Sequence, residues 1–380
     1  MMIKHPEIAE SSQHIALLGY IVDGHHLNHC KILIQEGFCG YFLFTGEFHA
    51  ALQEVGCIVS SENLLRISPQ GKSPRHVLSA VRRVVKMQPV IREVFSTSLD
   101  EFWLELSALS FFRLEWINST VRFSGIWIAS NFFYLNAKEV KRKFVLRLLS
   151  IIVKGAVRSK SRILFFNEEL YEFVHAHFDK TGASVFWCPD PYEELTIPEN
   201  ESSAKPVIPQ LLMAGHHKPR KGTQWALESL SEWSSGALEV LIVGKVSALP
   251  DLESVIARLP SSVEVRIVDR RVSDEELEDF YKTCTAVLLP YRHFGGSSGI
   301  FVNALFHGKP VISSNWGIIG SRTKRVRGGL VFDHDSSQSF CESIKKLLAA
   351  PEDAFDRDSV RDYLQANSPQ KYTKVACAVG

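Results

Sequence analysis

The chain has 380 residues, enough for two domains at about 100 to 200 residues each and too many for one small module. Its 43 Lys and Arg against 42 Asp and Glu leave a formal charge of +1, which excludes a protein whose main work is coating nucleic acid. With 45% hydrophobic and 22% charged residues the composition is that of a globular protein, and neither disorder nor a fibre fits it.

The opening MMIKHPEIAESSQ lacks the apolar stretch of a signal peptide. The first predicted strand is HIALLGYIV, from His14, and a glycine turn with Gly24, His25 and His26 follows it. A histidine titrating near neutrality serves as a general base, which makes His25 a candidate; capping or packing of the next helix is the competing reading. His25, His26 and His29 lack the carboxylate or cysteine set that a metal site of recognised spacing needs. Further strands are predicted at GYFLFTG from Gly40, VRFSGIWIA from Val121 and RILFFNE from Arg162, with helical segments between them. His49 and the turn around Asp100 border the same ends of these strands but sit in no identifiable motif.

The helix predicted from Lys138 to Arg162 holds nine basic residues and one acid, Glu139. Lys143, Arg147, Lys154 and Arg158 fall in one stripe, with Val145, Leu148, Leu149, Ile152 and Ala156 opposite. Such an outward basic face suits water or an anionic membrane surface. No uncharged apolar run reaches the roughly 18 to 20 residues of a spanning helix. The seven cysteines are odd in number and scattered, with no C-x-x-C pair, as in a reduced cytosolic chain.

From Pro189 to Pro209 the sequence carries five prolines and no sustained periodicity, and it reads as an interdomain linker. It separates a first domain, 1–188, from a second, 210–355, and the polar segment 356–380 reads as a closing helix that returns to the first. Buried strands are predicted in the second half at LLMAG (from Leu211), LEVLIVG (Leu238), VEVRIV (Val263), AVLLP (Ala286) and KPVISS (Lys309). The expected architecture is therefore α/β, two Rossmann-like doubly wound parallel sheets. Ligands should bind in a cleft outside the carboxyl ends of the strands, where strand order reverses.

Two loops carry the chemistry. After AVLLP comes YRHFGGSSGIFVNALFHGKPV, in which a Gly-Gly-Ser-Ser-Gly run offers backbone N–H groups and a helix dipole, a natural phosphate site. Ser297 or Ser298 is the expected N-cap, and a serine-capped helix after a glycine turn is the plain alternative. After LLMAG, Gly215 ends the strand and Arg220-Lys221-Gly222 precedes a helix, so two cations could face a diphosphate leaving group. The plain alternative there is a solvated basic turn.

The order of four pieces resembles the C-terminal domain of GT-B glycosyltransferases, in particular glycosyltransferase family 4, the group 1 family. These are the G-x(n)-K-G segment, LEVLIVG, RVSDEELEDFYKTCTAVLLPY and NALFHGKPVISSNWG, spanning roughly Leu211 to Leu348. The resemblance implies a GT-B fold with two Rossmann-like domains facing across a cleft. It also implies that Lys221 contacts the diphosphate and that the amides of Ser297, Ser298 and Gly299 cradle it. The family's arginine after the strand-end glycine is His216 here, with Arg220 close enough to supply that charge. The family's paired glutamates fall at Gly295 and Asn303, and Asn303 retains a donor and an acceptor for a ribose hydroxyl.

The expected function is glycosyl transfer from a nucleotide diphosphate sugar to a glycan, lipid-linked or protein acceptor, with retention of configuration. The other readings are a non-catalytic nucleotide-sugar-binding or assembly partner and an epimerase of the same fold. No metal cofactor and no nucleic acid are expected. Asp333-His334-Asp335 resembles a metal-binding D-x-D but sits where a surface turn is expected. The expected location is the cytoplasm, with the basic segment Lys138 to Arg162 offering peripheral contact with the inner membrane face.

Overall fold

The computed structural model describes residues 6–22, 24–71, 73–128, 130–135, 139–179, 182, 184–192, 208–249 and 251–377, with the side chains of residues 6, 9, 24 and 25 left aside. The chain divides into two compact units, Met1–Asp190 with Ser368–Gly380, and Pro191–Asn367. Most of the expected linker, 193–207, lies outside the described residues.

The first unit is built on a seven-stranded parallel sheet: β1 (Ile15–Gly19), β2 (Tyr41–Phe44), β3 (Leu64–Arg66), β4 (Glu93–Ser96), β5 (Arg122–Trp127), β6 (Ile163–Phe165) and β7 (Val185–Trp187). Their order is β3-β2-β1-β4-β5-β6-β7, so the winding reverses between β1 and β4. Helices cover both faces, which is why β1 and β6 are buried throughout and read as continuous apolar runs.

β4 differs from β1 and β6 in beginning with a glutamate. Glu93 is fully buried, and its carboxylate lies 2.8 Å from Arg162 Nη2 and 3.0 Å from Arg122 Nη2. Arg162 also donates to the carbonyls of Val375 and Ala376, at 2.8 Å each. These carbonyls belong to the last turn of the helix Pro369–Cys377, where a cation is favoured by the helix dipole. The same helix buries Tyr372 against His29 and Phe166. The closing segment is thus two helices: Arg357–Ala366 stays with the second unit, and only Pro369–Cys377 lies in the first.

The second unit holds a six-stranded parallel sheet: β8 (Gln210–Ala214), β9 (Leu238–Val243), β10 (Val263–Val268), β11 (Ala286–Leu289), β12 (Val311–Ser314) and β13 (Gly329–Phe332). The order β10-β9-β8-β11-β12-β13 reverses between β8 and β11. The loops after those two strands are the ones that hold Lys221 and Ser298, so the topology brings both sequence clusters to one switch point.

Candidate functional site

The loop after β8 is pinned before it reaches its cations. Buried His217 places Nδ1 2.7 Å from Thr223 Oγ1 and Nε2 3.1 Å from the carbonyl oxygen of Val243. A carbonyl only accepts, so Nε2 carries the proton and Nδ1 accepts from the threonine hydroxyl. Burial pushes the His217 pKa down to about 4, with Lys221 and His216 lowering it further against the Val243 carbonyl, so the ring stays neutral near pH 7. His216, its neighbour, is exposed.

Beyond this anchor a short 3-10 turn, Pro219–Lys221, ends on Gly222 at φ 70°. A Cβ there would stand 1.8 Å from the Pro290 carbonyl oxygen, so only glycine lets the two loops touch. Across that contact, Arg292 N–H donates to the Arg220 carbonyl at 2.8 Å. Both cations then lie on aromatic rings of the second loop. The Arg220 guanidinium sits 4.5 Å from the Phe294 centroid and the Lys221 ammonium 4.3 Å from that of Tyr291.

Lys221 Nζ donates to Tyr291 Oη at 2.5 Å, and Tyr291 Oη lies 2.8 Å from Ser298 Oγ. Ser298 occupies the N-cap position of the helix Gly299–Phe306, as the sequence suggests, but its side chain makes no capping hydrogen bond. It turns to the phenol instead and leaves the amides that open this helix without its cap. Ser297 Oγ accepts from Arg322 Nη1 at 2.6 Å, and Arg322 is fully buried on the helix Gly317–Val326. Among the described residues no carboxylate pairs with Lys221 or Arg220. Two such cations, a helix start without a cap and buried Gly295 and Gly296 together make a site for an anion.

The remaining predicted residues are placed as follows. Gly215 directly follows β8 at φ 104°, and a Cβ there would lie 3.7 Å from Lys221 Nζ, so it borders the same site. Gly299 is exposed at the helix start and Asn303 half-buried one turn later. His25 lies in the first turn of the helix Gly24–Gln35, but its side chain is outside the described residues. His26 and His29 are buried, and His29 stacks on Phe166 at 5.0 Å, which is the packing role. Asp335 pairs with Arg292 at 2.8 Å and with His334 at 3.0 Å, an exposed turn. Among the described residues no group of three His, Cys, Asp or Glu could hold a metal ion.

Tyr291 and Arg322 escaped the sequence reading as site residues. The signal for Tyr291 was its place directly after Pro290, at the carboxyl end of a switch-point strand. Arg322 left none, because a cation inside a helix reads as surface.

The first unit has its own cavity, about 750 Å³, at the carboxyl ends of β1 to β3. Tyr20, Thr45, Glu47, Ser68 and Gln70 supply its polar side chains. Burial, then the charges of Glu101, Asp100 and Glu105, raise the Tyr20 pKa, so this phenol keeps its proton.

Residues 208–350 match the family described as glycosyl transferases group 1. No curated protein matches the chain. Among solved structures, the chain is similar to sucrose-phosphate synthase from Thermosynechococcus elongatus, with 14% identity, 96% of each chain covered and a TM-score of 0.66. A glycosyltransferase from Rickettsia africae aligns at 13% identity over 95% of this chain and 96% of that one, with a TM-score of 0.66. Anabaena Alr3699/HepE in complex with UDP aligns at 13% identity over 96% and 97%, with a TM-score of 0.62. At this identity the likeness shows the fold, and the fold is GT-B: two Rossmann-like parallel-sheet units, the second carrying the group 1 segment.

Proposed function

We propose that this protein is a glycosyltransferase whose second unit binds a nucleotide diphosphate sugar and whose first unit receives the acceptor. The group 1 match and the GT-B fold support glycosyl transfer, and the observation that carries the donor reading is the line Lys221–Tyr291–Ser298 at the switch point. Its chemistry is that of a diphosphate site, an ammonium held beside a helix start whose N-cap side chain is turned away. HepE structures bearing UDP and UDP-glucose support the same donor class.

In this reading Lys221 contacts the diphosphate, the amides of Ser297, Ser298 and Gly299 cradle it, and Arg220 adds a second positive charge. Gly215 keeps the floor of the pocket open beside Lys221, His216 lines its rim, and Asn303 bonds a ribose hydroxyl. Transfer breaks the bond between the anomeric carbon and the diphosphate oxygen, and negative charge grows on that oxygen. Lys221, Arg220 and the amides stabilise it where it develops, which lowers the barrier without a metal ion. Retention follows if the departing phosphate takes the acceptor proton on the face it leaves. His25 is the alternative base on the acceptor side.

The cavity at the ends of β1 to β3 is the proposed acceptor site, taking a glycan, lipid-linked or protein hydroxyl. Polysaccharide assembly in the cytoplasm is the corresponding setting. Gly295 and Asn303, standing where the family has its paired glutamates, favour a second reading in which the protein binds the donor and assists assembly without turnover. A panel of nucleotide sugars separates the two. The enzyme reading expects one of them to raise the melting temperature and, with an acceptor extract, to release nucleotide; a shift without release under any acceptor supports the binding reading.

A further inference from the structure

The helix Trp103–Phe111 turns an apolar face outward. Leu104, Ala108, Phe111 and Phe112 follow one another at helical spacing, and all four are exposed. Phe111 and Phe112 are each 68% exposed, and Leu114 just beyond is 58% exposed. Two adjacent phenylalanines in water on one tip are costly and are not scattered surface apolar residues of the ordinary kind. The tip is also held firmly. Leu114 N–H closes onto the Leu109 carbonyl at 2.8 Å, which puts Arg113 in the left-handed region at φ 56°.

Basic helices flank this tip on both sides. On one side Arg82, from the helix Pro74–Met87, donates to the Trp116 carbonyl at 2.7 Å. On the other, Arg158, from the helix Val140–Ser159, donates to the Ser110 carbonyl at 2.6 Å. The first of these helices has four Lys and Arg and the second six, and neither contains an Asp or Glu. Between the Pro74–Met87 helix and the tip lies a cavity of about 440 Å³ whose lining includes three cations, Arg82, Arg83 and Lys86, one carboxylate, Glu115, and the apolar Leu109 and Leu114. The exposed rings thus have a cation-rich hollow beside them on one side and Arg158 on the other.

We infer that this surface docks on an anionic phospholipid bilayer, with Phe111, Phe112 and Leu114 entering the acyl boundary and the flanking cations meeting lipid phosphates. The rings supply burial, and the cations supply attraction that an anionic surface complements. A second copy of the chain is a poor partner, since a symmetric contact through the rings would bring Arg83, Lys86 and Arg158 of one copy toward the same cations of the other. Among the described residues no helix is long and apolar enough to cross a membrane, so this contact is peripheral. The inference concerns the first unit alone and stands whether or not the donor reading holds.

Sedimentation of the full chain with vesicles tests it. Vesicles containing phosphatidylglycerol should carry down about tenfold more protein than vesicles of phosphatidylcholine alone, and added salt should weaken the binding. The exposed pairs Phe111→Ser with Phe112→Ser, and Arg83→Glu with Lys86→Glu, should each abolish the difference while the circular dichroism melt stays unchanged. Equal sedimentation with both lipids, or none, overturns the inference. So does a dimer in solution that the phenylalanine pair dissolves, because the rings would then face a second copy.

Discussion

Lys221 Nζ stands 2.5 Å from the phenol oxygen of Tyr291, a residue seventy positions away that arrives on the loop after the neighbouring strand. The phenol is shared with Ser298 Oγ at 2.8 Å, so one hydroxyl ties the ammonium to the start of the helix Gly299–Phe306. Without it the lysine would be a flexible stem over an aromatic ring.

Replacing Tyr291 with Phe keeps that ring and removes the tie. Affinity for a nucleotide diphosphate should fall about tenfold, the size of one lost charged hydrogen bond of about 1.5 kcal/mol. Calorimetric titration checks this, and the melting temperature should move little. Unchanged affinity would reduce Tyr291 to packing.

Two buried histidines make the second unit sensitive to acid. His217 and His307 are both pushed by burial down to about 4 from an ordinary 6.5. The unfolded chain then binds protons that the folded one refuses, so the stability these rings allow is intact above pH 6.5 and is lost as pH falls toward 4. The slope reaches at most about 1.4 kcal/mol per pH unit for each ring, less where water screens it. Urea midpoints measured across this range should fall with pH, then level off above it.

His307 separates from His217 by what its nitrogens touch. Neither ring nitrogen of His307 has a hydrogen-bond partner, and the ring stacks flat on Tyr281 at 5.0 Å. His307→Phe should keep the stack, stabilise the protein by about 1 kcal/mol at pH 7 and flatten part of the acid slope. Destabilisation would mean that the imidazole serves something the stack does not show.

Glu93 holds the end of the chain through Arg162. Glu93→Gln leaves Arg162 and Arg122 without their buried countercharge and should cost about 3 kcal/mol. Hydrogen exchange should show the backbone of Pro369–Cys377 loosening more than that of the sheet, because Arg162 caps that helix. Uniform loosening would contradict the capping role.

Much of the fold was legible because a doubly wound sheet buries both faces of its strands. The apolar runs at Ile15, Tyr41, Arg122, Ile163 and the five starting at Leu211 became strands for that reason. β3, β7 and β13 were missed because these edge strands are only partly buried and lack a clear apolar run, and β4 because its glutamate reads as surface until Arg162 and Arg122 are seen beside it. The site was legible in its backbone chemistry, the glycines, serines and Lys221. It was not legible in Tyr291, whose role depends on which two loops the sheet order makes neighbours. The basic stripe was visible too, but the phenylalanine tip it flanks depends on how the Trp103–Phe111 helix packs, which periodicity leaves open.

The central claim is that Lys221 and the opening of the Gly299–Phe306 helix serve one diphosphate. Titrating a nucleotide diphosphate and its parent nucleoside into the protein and into Lys221→Ala tests it most directly. The account predicts that the variant loses diphosphate affinity by about a hundredfold, as expected for about 2.7 kcal/mol of charge-assisted contact, while the nucleoside binds as before. Equal losses for both ligands, or none for either, would contradict it.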